Sequence, residues 1–219
     1  MNENPLQIPD FSGDDFSDDK EILRARQEAA AYKQMLNDSL DILKRSLNLY
    51  DSSHKNFKVF HMFKSLKATI VDSYISSNFP TKLLVSVAEY LSSYPTARNA
   101  NTGIEKYIFG YIELRKDYPS TYICKEAIQQ KIINLFLKTD ADFVEHGKFT
   151  RRFNVITKDK DRLAGLLRFK PLDELSNFPD MELEIHKSGC LFRNSRCSIS
   201  VEEAEKFSAL TELLYKILN

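Results

Sequence analysis

A stripe of apolar residues from Ile22 to Tyr50 constrains this chain more than any other feature. Ile22, Ala25, Ala29, Tyr32, Leu36, Leu40, Leu43, Leu47 and Tyr50 fall three or four residues apart, with two successive steps of four between Tyr32 and Leu40. The spacing predicts one amphipathic helix over 22–50, with a narrow seam of the coiled-coil kind. A seam this narrow implies contact with another helix, and Leu36, Leu40, Leu43 and Leu47 are its candidate interaction residues. Asp51, Ser52 and Ser53 then supply turn and capping chemistry before a second periodic stretch, Val59, Phe63, Leu66, Ile70 and Tyr74, flanked by Phe57 and Phe60. The two stretches together predict an antiparallel helical hairpin. Residues 1–19, with Asp10, Asp14, Asp15, Asp18 and Asp19, read as a flexible acidic arm.

One piece of punctuation recurs downstream: Phe79-Pro80-Thr81, Tyr94-Pro95-Thr96 and Tyr118-Pro119-Ser120. Proline drives its predecessor out of the α region, and the hydroxyl that follows can cap a new helix. Helices are therefore expected at 81–93, 102–117 and 121–138, the second opening on a Thr102-x-x-Glu105 capping box. A short helix over 139–146 ends at Gly147, and another, 159–169, is capped by Thr157 and stops before Pro171. Strands are expected only late. Leu183 and Ile185 alternate with Glu182, Glu184 and His186, Lys187-Ser188-Gly189 reads as a turn, and Cys190-Leu191-Phe192 and Cys197-Ser198-Ile199 complete a hairpin. Ser200-x-x-Glu203 opens a final helix through Ala204, Phe207, Leu210, Leu214 and Ile217. The expected fold class is mostly α: a long helical hairpin and bundle over 20–118, then a small α+β module over 119–219 with a β-hairpin, in winged-helix-like order.

Several chemistries lack their signals. No GxxxxGK[ST], GxGxxG or GxSxG occurs, so no catalytic machinery and no cofactor is expected. His54 and His61 stand seven apart without a carboxylate at helical spacing between them, and His146 and His186 are isolated, so all four read as surface or packing residues and no metal is expected. Cys124, Cys190 and Cys197 are odd in number and form no CxxC pair, which reads as reduced thiols. Residues 1–5 have no signal-peptide character, and no apolar run reaches 18 residues, so a cytoplasmic location, or a nuclear one in a eukaryote, and no membrane partner are expected.

Lys plus Arg equals Asp plus Glu at 31 each, so any attraction for a polyanion must be local. Lys44, Arg45, Lys55, Lys58, Lys64 and Lys67 face one acid, Asp51, and read as a solvated face. The stronger imbalance lies at Lys148, Arg151, Arg152, Lys158, Lys160, Arg162, Arg168 and Lys170. A winged helix would put its third helix in the major groove and its hairpin along the phosphates. On that pattern Arg151, Arg152, Lys158, Lys160, Arg162, Lys187, Arg193 and Arg196 are the candidate nucleic-acid-binding residues.

Over residues 33–60, Gln34-Met35-Leu36, Asp38, Ile42, Asp51-Ser52 and Val59-Phe60 resemble the central helical hairpin of the terminase small subunits of tailed bacteriophages. The alignment needs one extra residue before Asp51, and Ser53-His54 stands where the family has Pro-Arg. The resemblance implies ring assembly and delivery of DNA to a packaging motor. The expected function is thus a non-enzymatic assembly protein that self-associates through its N-terminal helices and binds nucleic acid through its C-terminal module. The alternative is a protein-protein adaptor or complex subunit without nucleic-acid contact.

Overall fold

The computed structural model describes residues 15–53, 56–95, 100–125, 143, 145–194 and 200–219. It is not mostly α. A six-stranded antiparallel sheet is the centre of the molecule, made of β1 (Leu49–Asp51), β2 (Thr69–Ser76), β3 (Leu83–Pro95), β4 (Ala100–Lys125), β5 (Phe153–Thr157) and β6 (Met181–Asn194). Among the described residues the helices are α1 (Asp15–Leu47), α2 (His61–Leu66), α3 (Gly147–Arg152), α4 (Lys160–Leu167) and α5 (Val201–Leu218), with a 3-10 turn at Leu172–Asn177. The expected acidic arm up to residue 14, His54, the later part of helix 121–138, most of 139–146, Arg196 and Cys197 lie outside the described residues.

The predicted long helix is present as α1, but its hairpin partner is not. Asn48 takes a left-handed conformation (φ 50°) that ends α1, and the chain returns as β1 alongside β2. The stretch that resembles the terminase hairpin, 33–60, therefore forms the end of α1, β1 and the loop into α2. The seam is a correction of equal weight. Leu36 and Leu40 are buried, and Leu43 and Leu47 are fully so, in one core with Ala204, Phe207, Leu210, Leu214 and Ile217 of α5 and the facing side of the sheet. The narrow stripe has found its helical partner inside the same subunit, so these four leucines are not a docking surface.

Helices expected at 81–93 and 102–117 are strands β3 and β4, and 121–125 continues β4. The sheet is covered on both faces, so its strands carry apolar residues on both and lose the period-two signature. Leu83, Val85 and Val87 of β3 and Ile108 and Ile112 of β4 face α1 and α5; Leu84, Ala88, Tyr107, Phe109 and Tyr111 face the other way, against Phe57, Phe60, Met62 and Phe63. Gly110 interrupts β4 because the Phe192 ring lies across it: a Cβ there would stand 2.0 Å from the ring.

β4 is the spine. Ile112 is registered with Leu83 of β3 and Cys190 of β6, and Ile123 with Val155 of β5 and Leu183 of β6. Thus β3 and β5 lie end to end along one edge and β6 follows the other. A domain boundary at 118/119 falls inside this strand.

Paired bulges interrupt the ribbon of β4 and β6. The register shifts between Glu113 and Thr121, and Lys187 opposite takes a left-handed conformation (φ 54°). Both strands exchange faces there: 108, 112 and 118 precede 123 on the helix-facing side, and 183 and 185 precede 190 and 192. Asn219 satisfies backbone groups that the bulge frees, accepting from the Arg115 N–H at 2.9 Å and donating to the Glu113 carbonyl at 3.4 Å. Glu182 and Arg193 show how far the ribbon bends. Eleven residues along a straight strand span about 36 Å, more than the two side chains can bridge. Their carboxylate and guanidinium nevertheless meet at 2.7 Å. β6 is therefore folded sharply at Lys187, and the aromatic face is concave. The expected hairpin turn is a bend of this kind, in which both arms pair with β4 rather than with each other.

Helix α2 closes the concave face. Phe60 at its N-cap offers no side-chain acceptor. Glu184 of β6 takes that role, accepting the His61 and Met62 N–H groups at 2.8 Å each. Burial raises the Glu184 carboxyl above its ordinary range, against the opposing pull of the Met62 and His61 N–H groups. Glu184→Gln can keep only one of the two acceptors. Burial disfavours the charged form, so the cost is expected to be under about 1 kcal/mol at neutral pH and to approach about 1–3 kcal/mol in acid. Because the folded-state pKa is raised, the wild-type contribution is fullest below the unfolded value and is lost as pH rises through the folded one. Denaturation curves of both proteins should therefore diverge further as pH falls from neutrality; a constant difference rejects this account.

No helix among the described residues is long and apolar enough to cross a membrane. The final helix begins where its capping box places it, with Ser200 Oγ accepting the Glu203 N–H at 3.2 Å.

Candidate nucleic-acid interface

Without a winged helix, the basic residues of the C-terminal half need a new geometry, and the structure sorts them into three settings. The first is α3. This short helix is anchored by fully buried Phe149 and held from the 3-10 turn, where the Asp173 carboxylate accepts the Lys148 and Phe149 N–H groups at 3.1 and 2.9 Å. With Phe149 pointing inward, Lys148, Arg151 and Arg152 stand exposed. Arg151 and Arg152 occupy the last turn, where the helix dipole favours cations. The Arg152 Nη1 donates to the Ser176 carbonyl at 2.9 Å, which fixes the guanidinium beside the 3-10 turn. These three cations, with Ser176, Asn177 and Pro179, line an open hollow of about 570 Å³, and no carboxylate is among its described lining.

The second setting surrounds the β4 bulge. Lys158 donates its N–H to the Ser120 carbonyl at 3.2 Å, and Arg162 Nη2 donates to the Asp117 carbonyl at 2.8 Å. Lys187 is registered opposite Tyr118, so Lys158, Arg162 and Lys187 gather beside the exposed Arg115 and Lys116. Lys160 opens α4 nearby. This rim is less purely cationic than the hollow. Asp159 caps α4 by accepting the Arg162 N–H at 3.0 Å, Thr157 being instead in β5, and Asp161 sits in the same first turn.

The third setting removes a candidate. Arg193 is largely enclosed on the concave face, paired with Glu182 and lying 4.9 Å from the Tyr107 ring centre, so its guanidinium is engaged away from the exposed cations. Arg168 is paired with Glu145 at 3.8 Å. Arg196 lies outside the described residues.

Elsewhere the titratable groups serve packing. Burial, then neighbouring Lys64, holds the His61 ring pKa below its ordinary value. Burial pushes the Cys124 thiol up to about 12 and that of Cys190 well above its usual range, so both are small core residues rather than nucleophiles.

Sequence reasoning missed Asn177 and Ser176, which complete the hollow, and the role of Glu182. Nothing in the sequence near Arg152 marks residues 24 positions away as its neighbours. No family model, no curated protein and no solved structure matches this chain.

Proposed function

We propose that this chain is a non-catalytic nucleic-acid-binding protein of the cytoplasm, or of the nucleus in a eukaryote, that holds the phosphate backbone in the α3 hollow. The observation that carries the reading is the convergence of Lys148, Arg151 and Arg152 on one open hollow free of carboxylates among its described lining. Exposed guanidiniums suit phosphate by offering paired donors in a fixed plane. Lys158, Lys160, Arg162 and Lys187 form a second contact zone around the bulge.

Each neutralised phosphate releases counterions, so affinity falls with salt in proportion to the contacts made. Fluorescence anisotropy of a labelled oligonucleotide across a salt series tests this. Arg151→Glu/Arg152→Glu is expected to weaken binding at least about tenfold near 0.1 M salt and to reduce the log–log salt slope by about two. An unchanged slope rejects the reading.

A second reading, a protein-protein adaptor, draws on α1. Its described side chains from Leu23 to Ala31 are exposed, Leu23 by 57%, while the later turns are core. An adaptor would bind a protein through this stretch and ignore the charge reversal.

A further inference from the structure

The hollow does not end at α3. Asn177 and Pro179 line it and also line an adjoining cleft of about 200 Å³, floored by Phe178, Met181, Phe207 and Leu210. Charge is segregated across this shared wall. On the cleft side, each acid has a partner: Asp180 pairs with Lys125 at 3.5 Å, and Glu203 pairs with Lys206 at 3.4 Å and accepts from the Asn194 amide. The cleft is therefore close to neutral, apolar below and polar at its rim, whereas its neighbour is cationic.

We infer that the joined groove takes one nucleotide of a single strand, its phosphate beside Lys148, Arg151 and Arg152 and its base in the neutral cleft. This rests on the backbone reading above and goes further by choosing single strand over duplex. A base is flat, uncharged and edged with hydrogen-bonding groups, which matches a cleft with a partly aromatic floor and a polar rim. A phosphate or a fatty chain matches only half of the groove. In a duplex the bases are stacked inside and cannot enter a cleft of this size.

The test uses the full chain and three labelled probes of equal length at one ionic strength: single-stranded oligothymidylate, the same strand made abasic, and a blunt duplex. The base-containing single strand is expected to bind about tenfold or more tighter than either of the others. Phe178→Ala, which removes an aromatic side chain lining the cleft but not the cationic hollow, is expected to abolish that preference while leaving the abasic strand bound as before. A thermal melt confirms that the variant is folded. Equal binding of the three probes, tighter binding of the duplex, or a preference that survives Phe178→Ala overturns the inference and leaves the backbone reading intact. Absence of salt-dependent binding to all three overturns the backbone reading itself.

Discussion

Arg193→Ala is expected to destabilise the protein by about 3–5 kcal/mol, the range found when one partner of a buried ion pair is removed. The Glu182 side chain is 3% exposed and that of Arg193 11%, so truncating the arginine leaves a carboxylate with neither water nor a cation. The variant also loses the guanidinium that lies over the Tyr107 ring. Burial, then the Glu182 charge, raises the Tyr122 hydroxyl pKa, with Arg193 opposing, so the uncompensated charge also bears on that neighbour. Equilibrium denaturation should show a lower midpoint with little change in slope. The double replacement Glu182→Met/Arg193→Met should recover much of the loss, since apolar groups of similar volume are tolerated where a lone charge is not. A single variant within about 0.5 kcal/mol of wild type would mean that the pair does not hold the bend of β6. Below its melting temperature the same variant should bind nucleic acid with an undiminished salt slope, because Arg193 faces the concave interior.

Leu43→Ala is expected to cost about 2–5 kcal/mol, from lost transfer free energy plus the cavity left among residues that cannot fully collapse. Leu43 is fully buried in the core shared with α5. Light scattering should give the same mass before and after the substitution. A seam between subunits would instead change the mass and spare the subunit's own stability. Leu23→Ala, in the exposed half of the same helix, is the control and should stay within about 0.5 kcal/mol.

What the sequence made legible was helical and local. The periodicity from Leu36 to Leu47 and the Ser200 cap are satisfied within a few residues of where they are encoded, so reading them needs no knowledge of the rest of the chain. The seam's partner could not be read the same way, because α5 lies more than 150 residues away and a stripe does not say whose helix fills it. The strands were hidden by being buried on both faces. Tyr107, Ile108, Phe109, Tyr111 and Ile112 are strongly strand-forming, and weighting that composition above the proline punctuation would have found β4. Pro119 marks the bulge of a strand rather than the gap between two helices, a position where a missing N–H is tolerated.

The candidate interface was half legible for the same reason. Arg151 and Arg152 announce themselves by charge, but the hollow is completed by the 3-10 turn. Arg193 is indistinguishable from them in sequence. Only the bend in β6 brings Glu182 to it and withdraws most of it from solvent.

Because a single ribbon, β4, supplies hydrogen-bonding partners to strands encoded both before and after residue 118, and β6 pairs with it on both sides of that point, neither portion of the gene specifies the whole sheet without the other. Severing the polypeptide at that point would strand β3 and β5 on opposite fragments of their common template. Unlike proteins assembled from separable modules, this one offers evolution no seam at residue 118 at which two halves could have been joined late or traded independently.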